Sequence, residues 1–321
     1  MDTESFDLLV AALEGLTAEQ RLVVADRVKV LGGRADSARL IAERIEVPAA
    51  CAHCASADVV RFGFAHGQQR LRCKACGKTF TALSGTPFLR LREKEKLLAH
   101  AECMGRGMTV RAAAAAVGLT VDRAFRWRHR FLEFLAGQQP SGMTGFVEAD
   151  ETFFRKSYKG QRKGLPRPPK KRGGASKDAE ESERVPVVVA MQRGSRITTD
   201  RMLPDLTAPS LTKALRPALG ADAVLSTDGN TSYPVVAANL GIESGSFVAG
   251  YHGHGGCGVW HVQNVNAYDS RLKGWMGRFH GVATKYLPHY LGWRRLLDRF
   301  KDSVTGQQFL FHALRVEYVN I

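Results

Sequence analysis

Two stretches decide the reading of this chain: Phe146-Val147-Glu148-Ala149-Asp150 and Ala223-Val224-Leu225-Ser226-Thr227-Asp228, apolar runs that each end in an aspartate. Alternation over Val147 to Phe154 suits a strand and sets Glu148 and Asp150 on one face. Between the two runs, Val185 to Gln192 and Ser195 to Asp205 predict further strands, and Ala208 to Leu219 predicts a helix. Asp228-Gly229 closes the last strand, and Asn230-Thr231-Ser232 opens the next helix. Strands alternating with helices predict an α/β domain over residues 145–321 in which Asp150 and Asp228 converge. A later helical stretch carries Asn266 and Lys273 seven residues apart, nearly two turns, and so on one face.

The chemistry follows from the residue types. Two converging carboxylates can hold two Mg²⁺ (or Mn²⁺) ions about 3.5–4 Å apart against a phosphodiester. Magnesium keeps several of its waters, so few protein ligands suffice. A lone aspartate at a strand end is ordinarily a cap or turn residue. What raises this pair above that reading is the company of Asn266 and Lys273. An amide oxygen coordinates without supplying charge, and a lysine can meet phosphate. Asp269, three residues after Asn266, shares that face approximately and stands as an alternative third ligand.

The 321 residues are 44% hydrophobic, enough for two or three domains with a sizeable core. A formal net charge of +15 points to a polyanionic partner, DNA above all. No apolar run approaches the roughly 18 residues that a membrane-crossing helix needs. The acidic start Met1-Asp2-Thr3-Glu4-Ser5 lacks the basic opening of a secretory signal. A cytoplasmic protein is expected.

Four of the six cysteines form knuckles, Cys51-x-x-Cys54 and Cys73-x-x-Cys76, separated by 18 residues. Such a pair brings four thiolates into the closed tetrahedron of one structural Zn²⁺ and predicts a zinc ribbon over 47–90. Arg70, Arg72 and Lys74 beside the second knuckle are available to phosphates. Gly77-Lys78-Thr79 imitates the end of a phosphate-binding loop, but Arg72 stands where its first glycine belongs.

Residues 91–138 predict a helix-turn-helix. One helix runs Lys94 to Met104, Thr109 opens a second through Val117, Gly118 turns the chain, and Thr120 caps a third, Val121 to Phe134. That third helix interleaves Arg123, Arg126, Arg128 and Arg130 with Phe125, Trp127 and Phe131, so arginines can reach DNA while aromatics anchor the helix. A plain amphipathic bundle is the competing reading. Residues 1–46 predict short helices at Asp7 to Leu16, Thr17 to Leu31 and Ala38 to Ile45, a packing or oligomerisation element.

These motifs together resemble the zinc-ribbon insertion-sequence transposases of the ISXO2-like group, in the DDE transposase superfamily. The carriers are Cys51-Ala-His-Cys54 to Cys73-Lys-Ala-Cys76-Gly-Lys-Thr-Phe80, then Ala124-Phe-Arg-Trp-Arg-His-Arg130 and Val147-Glu-Ala-Asp-Glu151. Thr227-Asp-Gly229 and the run from His261 through Asn264, Asn266 and Lys273 complete them. The resemblance spans about residues 5 to 315. It implies a ribonuclease-H-like catalytic domain that cuts and joins DNA at the terminal inverted repeats of a mobile element. By that resemblance Asp150 and Asp228 are the first two catalytic acids, Asn266 takes the third position and Lys273 is the lysine that follows. Many members carry Glu at the third position, and some subgroups carry Asn or His. A dimer or larger assembly is expected, because two element ends must be cut together.

Two rivals remain at this stage: a non-catalytic DNA-binding regulator derived from a transposase, and a structure-specific nuclease. The basic insertion 155–184 holds nine Lys or Arg and no acid between Arg155 and Arg172, and reads equally as a DNA clamp or a solvated loop. His252, His254, Cys257 and His261 crowd a Gly-rich loop whose irregular spacing argues against a second zinc site. Trp260 and Trp275 read as core or DNA-stacking residues, and Asp200 and Asp205 as surface or turn residues.

Overall fold

The structure, a computed structural model, describes residues 2–17, 19–21, 23–25, 28, 50–65, 68–161, 163–165, 183–246, 258–301 and 303–314. The chain divides into two compact units, Met1–Phe131 with Thr305–Ile321, and Leu132–Val304. Among the described residues no helix is long and apolar enough to cross a membrane.

The first unit opens with α1 (Thr3–Glu14), capped by Asp2, whose carboxylate accepts the Ser5 N–H at 2.8 Å. The segment expected at Thr17 to Leu31 is described only in part, and Ala38 to Ile45 lies outside the described residues. A three-stranded antiparallel sheet follows, β1 (Val59–Ala65), β2 (Gln68–Cys73) and β3 (Thr79–Thr81), in that spatial order. Then come α2 (Leu97–Gly105), α3 (Val110–Val117) and α4 (Val121–Gly137).

The turn chemistry of these helices matches the sequence. Thr109 caps α3 by accepting the Ala112 N–H, Gly118 takes a left-handed φ of +67°, and Thr120 accepts the Arg123 N–H. The capping hydroxyls satisfy helix N–H groups that have no partner inside the helix, each worth about 1 kcal/mol. Trp127 and Phe131 are buried and pack on His100 of α2 at 5.6 and 5.3 Å. Phe125 instead stays at the surface against His129.

One boundary differs from expectation. Helix α9 (Gly306–Ala313), expected in the α/β domain, groups with the first unit, where Phe309 is buried and its ring lies 6.1 Å from Phe131. From Leu132 onward, α4 groups with the second unit. There Arg295 donates to the Leu135 and Gln138 carbonyls, satisfying acceptors at the helix end.

The second unit is built on β4 (Met143–Arg155), β5 (Arg184–Gln192), β6 (Thr198–Met202), β7 (Leu219–Thr227) and β8 (Glu243–Ser246). Their spatial order is β6-β5-β4-β7-β8. β4, β5 and β6 pair antiparallel, whereas β7 joins β4, and β8 joins β7, in parallel. Helices cover both faces. α5 (Ala208–Leu215) and α6 (Ser232–Leu240) pack Leu211, Leu215, Tyr233 and Val236 on Val147, Ala149, Val188 and Ala190. On the other face α7 (Gln263–Gly277) and α8 (Leu287–Arg299) pack Val265, Tyr268, Leu272 and Leu291 on Val187, Val189 and Met191.

β5 therefore reads as a continuous apolar run because both of its faces are buried. Each such Val or Leu stabilises by roughly 1.5–3 kcal/mol. Glu148 and Asp150 oppose Met191 and Val189 across the ladder and so share the α7 face. Asp200, read as a surface residue, is instead buried on β6, paired with Arg295 and accepting the Tyr268 hydroxyl at 2.9 Å. Asp205 does lie in a turn, accepting from Thr207.

Candidate active site and metal centres

Parallel pairing of β4 and β7 sets the central geometry. Its last paired rung is Glu148 with Ser226, so Asp150 and Asp228 each stand two residues beyond it. There β7 ends and β4 continues along β5 alone. At that divergence carboxylate oxygens of Asp150, Glu151 and Asp228 lie within 4.8 Å of one another. Successive strand residues face opposite sides, but beside a terminated neighbour both can turn toward the same gap. Asp228 is exposed and accepts the Asn230 N–H at 3.3 Å across Gly229, whose φ of +95° makes the turn. Asn230 also donates to Glu151 at 3.4 Å.

Burial pushes the Asp150 carboxyl up to about 6, with the Asp228 and Glu151 charges adding to the shift and Lys273 opposing it. Burial also raises Glu151, again with Asp228 contributing. Carboxylates that raise one another in a partly desolvated cleft form the donor set that a hard divalent cation neutralises.

A second device fixes α7 against these strands. Glu148 is fully buried on β4, where Oε2 accepts the backbone N–H groups of Asn264 at 2.7 Å and Val265 at 3.2 Å. Oε1 accepts Asn264 Nδ2 at 2.7 Å and Arg193 Nε at 3.0 Å, and His261 Nδ1 lies 3.1 Å away. Ser226, the β7 partner of Glu148, bonds the His261 backbone on both sides, at 2.8 and 3.2 Å. A carboxylate at a helix N-terminus meets unpaired N–H groups and the positive end of the helix dipole.

On the helix so placed, Val265, Tyr268, Asp269 and Leu272 are buried while Asn266 and Lys273 are exposed. At about 100° per residue, Asn266 and Lys273 sit about 20° apart around the axis, with Asp269 between them and the sheet. The Lys273 charge acts on both Asp150 and Asp269. Asn266 makes no side-chain hydrogen bond to the carboxylates. Burial, and then the Asp150 charge, push Asp269 up to about 7. Its Oδ1 is buried without a hydrogen-bond partner among the described residues.

The four knuckle cysteines lie within 4.8 Å of one another, all free, with Cys51–Cys76 at 3.7 Å and Cys54–Cys73 at 3.6 Å between sulfurs. A tetrahedron of Zn–S bonds near 2.3 Å has edges of about 3.8 Å, whereas a disulfide would close to about 2.05 Å. These thiols fit zinc. The backbone reverses tightly beside each knuckle, with the Ala55 N–H on Cys51 O and the Gly77 N–H on Cys73 O.

The basic residues divide. Arg128 is buried and donates to the Met108 carbonyl at 2.6 Å, so this expected DNA contact is a structural residue holding α4 to the α2–α3 connection. Arg123 pairs with Glu93, Arg126 pairs with Asp122, and Arg130 donates to the Pro87 carbonyl. Of these, Arg123 and Arg126 keep exposed guanidinium groups. Arg70 and Arg72 stack over Phe62 at 5.5 and 5.4 Å, and Lys74 is exposed beside Asp58. In the basic insertion, Lys159 donates to the Phe279, His280 and Gly281 carbonyls, while 166–182 lie outside the described residues. His252, His254 and Cys257 lie outside them too. Trp275 is buried among Phe279, Tyr290 and Trp293, and Trp260 packs edge-on against Phe146.

Comparison with known proteins bears on this geometry. Residues 142–294, which carry β4 to α8 up to Arg294, match the family described as the ISXO2-like transposase domain. This chain carries an ISXO2-like transposase domain. An uncharacterized protein in transposable element ISH50 of Halobacterium salinarum is 26% identical over 252 residues, covering 75% of this chain and 82% of that protein. Two solved structures are similar at a much lower level. A chain of a simian T-cell lymphotropic virus intasome in complex with PP2A regulatory subunit B56 gamma has a TM-score of 0.30 at 10% identity, covering 61% of this chain and 66% of that one. A chain of a pre-cleavage Mos1 transpososome has a TM-score of 0.25 at 11% identity, covering 63% and 75%. At such scores neither likeness carries weight for the transposase domain.

Three residues of this domain escaped the sequence reading. Glu151 stands in the sequence only as the end of the Val147–Glu151 motif, with no task assigned to it. Glu148 was placed on the Asp150 face but given no task; a glutamate inside an apolar strand run was the available signal. Asp200 carried no signal in its local sequence, because its partners Tyr268 and Arg295 come from distant helices.

Proposed function

We propose that this transposase is a metal-dependent enzyme that cuts the terminal inverted repeats of its insertion sequence and joins the freed ends to target DNA. The carrying observation is the meeting of Asp150, Glu151 and Asp228 carboxylates where β4 and β7 diverge. The strand order β6-β5-β4-β7-β8, with helices on both faces, supports the ribonuclease-H-like reading of the domain.

Asp150 and Asp228 would hold the divalent ions, Mg²⁺ or Mn²⁺, and Asn266 would offer a neutral oxygen from α7. When bound, two such ions supply charge neutralisation at the phosphodiester and lower the barrier to an oxygen attack. Asp150 and Asp228 would act on the phosphate only through the ions they would hold; a water in line with the scissile bond gives its oxygen to a new P–O bond and releases a proton. The old P–O3′ bond breaks, its electron pair goes to the 3′ oxygen, and that oxygen leaves as a 3′-OH. In the second step the 3′-OH oxygen attacks a target phosphodiester and loses its proton as the new P–O bond forms, while the target's own P–O3′ bond breaks and its 3′ oxygen leaves and takes up a proton, so no nucleotide cofactor is consumed. Lys273, whose charge reaches Asp150, steadies the phosphate oxygens as negative charge builds.

The zinc ribbon and helix-turn-helix supply recognition of the ends, with Arg70, Arg72, Lys74, Arg123 and Arg126 as the phosphate-contacting set. The enzyme acts in the cytoplasm as a dimer or larger assembly that holds both ends. A regulator that never cuts has no use for three mutually repelling carboxylates in one cleft, which favours the enzyme.

The test uses zinc-loaded full chain and DNA carrying the element end. With Mg²⁺ or Mn²⁺ the wild type nicks at the element boundary, and Asp150→Asn and Asp228→Asn do not while still binding that DNA. Equal nicking by Asp150→Asn refutes the assignment.

A further inference from the structure

The carboxylates that meet at the site, Asp150, Glu151 and Asp228, come from β4 and the end of β7, whereas Asn266 of α7 brings an oxygen without charge. We propose that Asp269, one turn along α7 from Asn266, supplies a carboxylate from the helix side to the divalent ions, with Asn266 as a neutral oxygen at the rim. The inference rests on the metal-dependent reading above and extends it to this residue.

Three observations carry it. Asp269 lies on the sheet-facing side of α7, between Asn266 and Lys273, and its charge couples to that of Asp150. It is 5% exposed. Its Oδ1 is buried with no hydrogen-bond partner among the described residues. Buried carboxylate oxygens are ordinarily satisfied, because an unpartnered one forfeits the hydration it had in the unfolded chain. Three fully buried carboxylates of this unit obey that rule: Asp200 has Arg295 and Tyr268, Asp298 has Arg271 and Arg294, and Glu148 has Asn264 and Arg193. Asp269 has no such partner at Oδ1 among the described residues, and the Asp150 charge acts on it from the carboxylate cluster. A divalent ion shared with Asp150 supplies the missing partner.

The geometry of α7 explains why the pair is spaced three apart. A separation of three residues brings two oxygen donors onto one edge of a helix. The deeper donor meets an ion held by a strand, while the outer one is left to face substrate. Lys273, one turn further, then lies beyond the carboxylate, where it faces phosphate without neutralising Asp269 directly.

The test is Mn²⁺ binding by zinc-loaded full chain, followed by electron paramagnetic resonance of free Mn²⁺ and by the Mn²⁺-induced rise in Tm. Wild type binds Mn²⁺, and Asp150→Asn loses it. Asp269→Asn weakens binding at least about tenfold, the scale on which residues around a metal affect affinity. Its Tm without metal stays at or above wild type, and the Mn²⁺-induced rise shrinks. Asn266→Ala weakens binding less than Asp269→Asn. If Asp269→Asn binds within twofold of wild type while Asp150→Asn does not bind, Asp269 is not a ligand and the metal site stands without it. If wild type binds no Mn²⁺, or Asp150→Asn binds as well as wild type, the metal-site reading itself falls and this inference falls with it.

Discussion

Glu148 grips Asn264 twice, once through its backbone N–H and once through its side-chain amide, both at 2.7 Å. The two residues, one on β4 and the other on α7, lie 116 apart in sequence. One buried carboxylate thereby sets how far the helix carrying Asn266, Asp269 and Lys273 stands from the strand carrying Asp150.

Replacing Glu148 with Gln keeps the shape but turns an acceptor into a donor facing the Arg193 and Asn264 donors. Breaking a buried charged pair costs about 3–5 kcal/mol, and Glu148→Gln is expected near the lower end. Urea denaturation should show that loss, and strand cleavage should fall with it. Binding of element-end DNA through the ribbon and helix-turn-helix should persist; a parallel loss of binding contradicts a local role for Glu148.

Gly292 in α8 offers a test of sign. A Cβ there would meet the Leu135 carbonyl oxygen at 2.4 Å and the Ala136 nitrogen at 2.9 Å, both backbone atoms that cannot swing aside. Gly292→Ala should therefore destabilise by about 1–3 kcal/mol despite better helix propensity. Gly274 in α7 meets nothing within 4 Å, so Gly274→Ala should stabilise by roughly 0.5–1 kcal/mol. Thermal melts of the two variants should move in opposite directions.

Arginines on α4 should separate by role. Arg128→Ala removes the buried donor to the Met108 carbonyl and should lower Tm. Arg126→Ala removes an exposed charge and should leave Tm unchanged, weaken DNA binding and reduce its salt slope by about one. A stable Arg128→Ala with weakened DNA binding would restore Arg128 to the interface.

His100 predicts an acid-sensitive first unit. Burial, with the Arg128 charge adding to it, lowers its pKa from 6.5 to about 3. The unfolded chain therefore takes up a proton below pH 6.5 that the folded one refuses, so stability falls as pH drops from 6.5 toward 3. By pH 5 the loss is about 2 kcal/mol from this residue. His100→Phe, which keeps the aromatic contacts, should flatten that limb of the stability profile.

Zinc removal should act locally. One Zn²⁺ per chain is expected by elemental analysis, and Cys73→Ser should lose it. Without the metal the small core of Leu71 and Phe80 cannot hold the β1–β3 sheet, so hydrogen exchange there should rise to the free-peptide rate. Protection in β4, β5 and β7 should be unaffected.

Much of this arrangement is legible in the amino acids because it is local. Thr109, Gly118 and Thr120 announce the ends of α3 and the start of α4 through capping and a positive φ, and the cysteine spacing announces the four-thiol cluster. The alternation at Val147 to Phe154 gives the strand face on which Asp150 stands. What stayed hidden depends on distant partners. Arg128 and Arg126 have the same local sequence signature, and only the packing of α4 sends one inward. Asp200 looks like a turn residue until Arg295 arrives from α8. The meeting of Glu151 with Asp228 depends on where β7 stops, which the β4 sequence does not encode.

Hairpin register has one more consequence. Arg155 and Arg184 face each other as the last rung of β4 and β5, so everything between them departs from and returns to a single place on the sheet. The number of residues between Asp150 and Asp228 is thus not a ruler for this domain. A segment lengthened or shortened at that rung leaves the pairing of β4 with β5, and so the place of Asp150, unchanged. The same rung, past the anchored Lys159, is where a foreign domain can be spliced in with the cleft undisturbed.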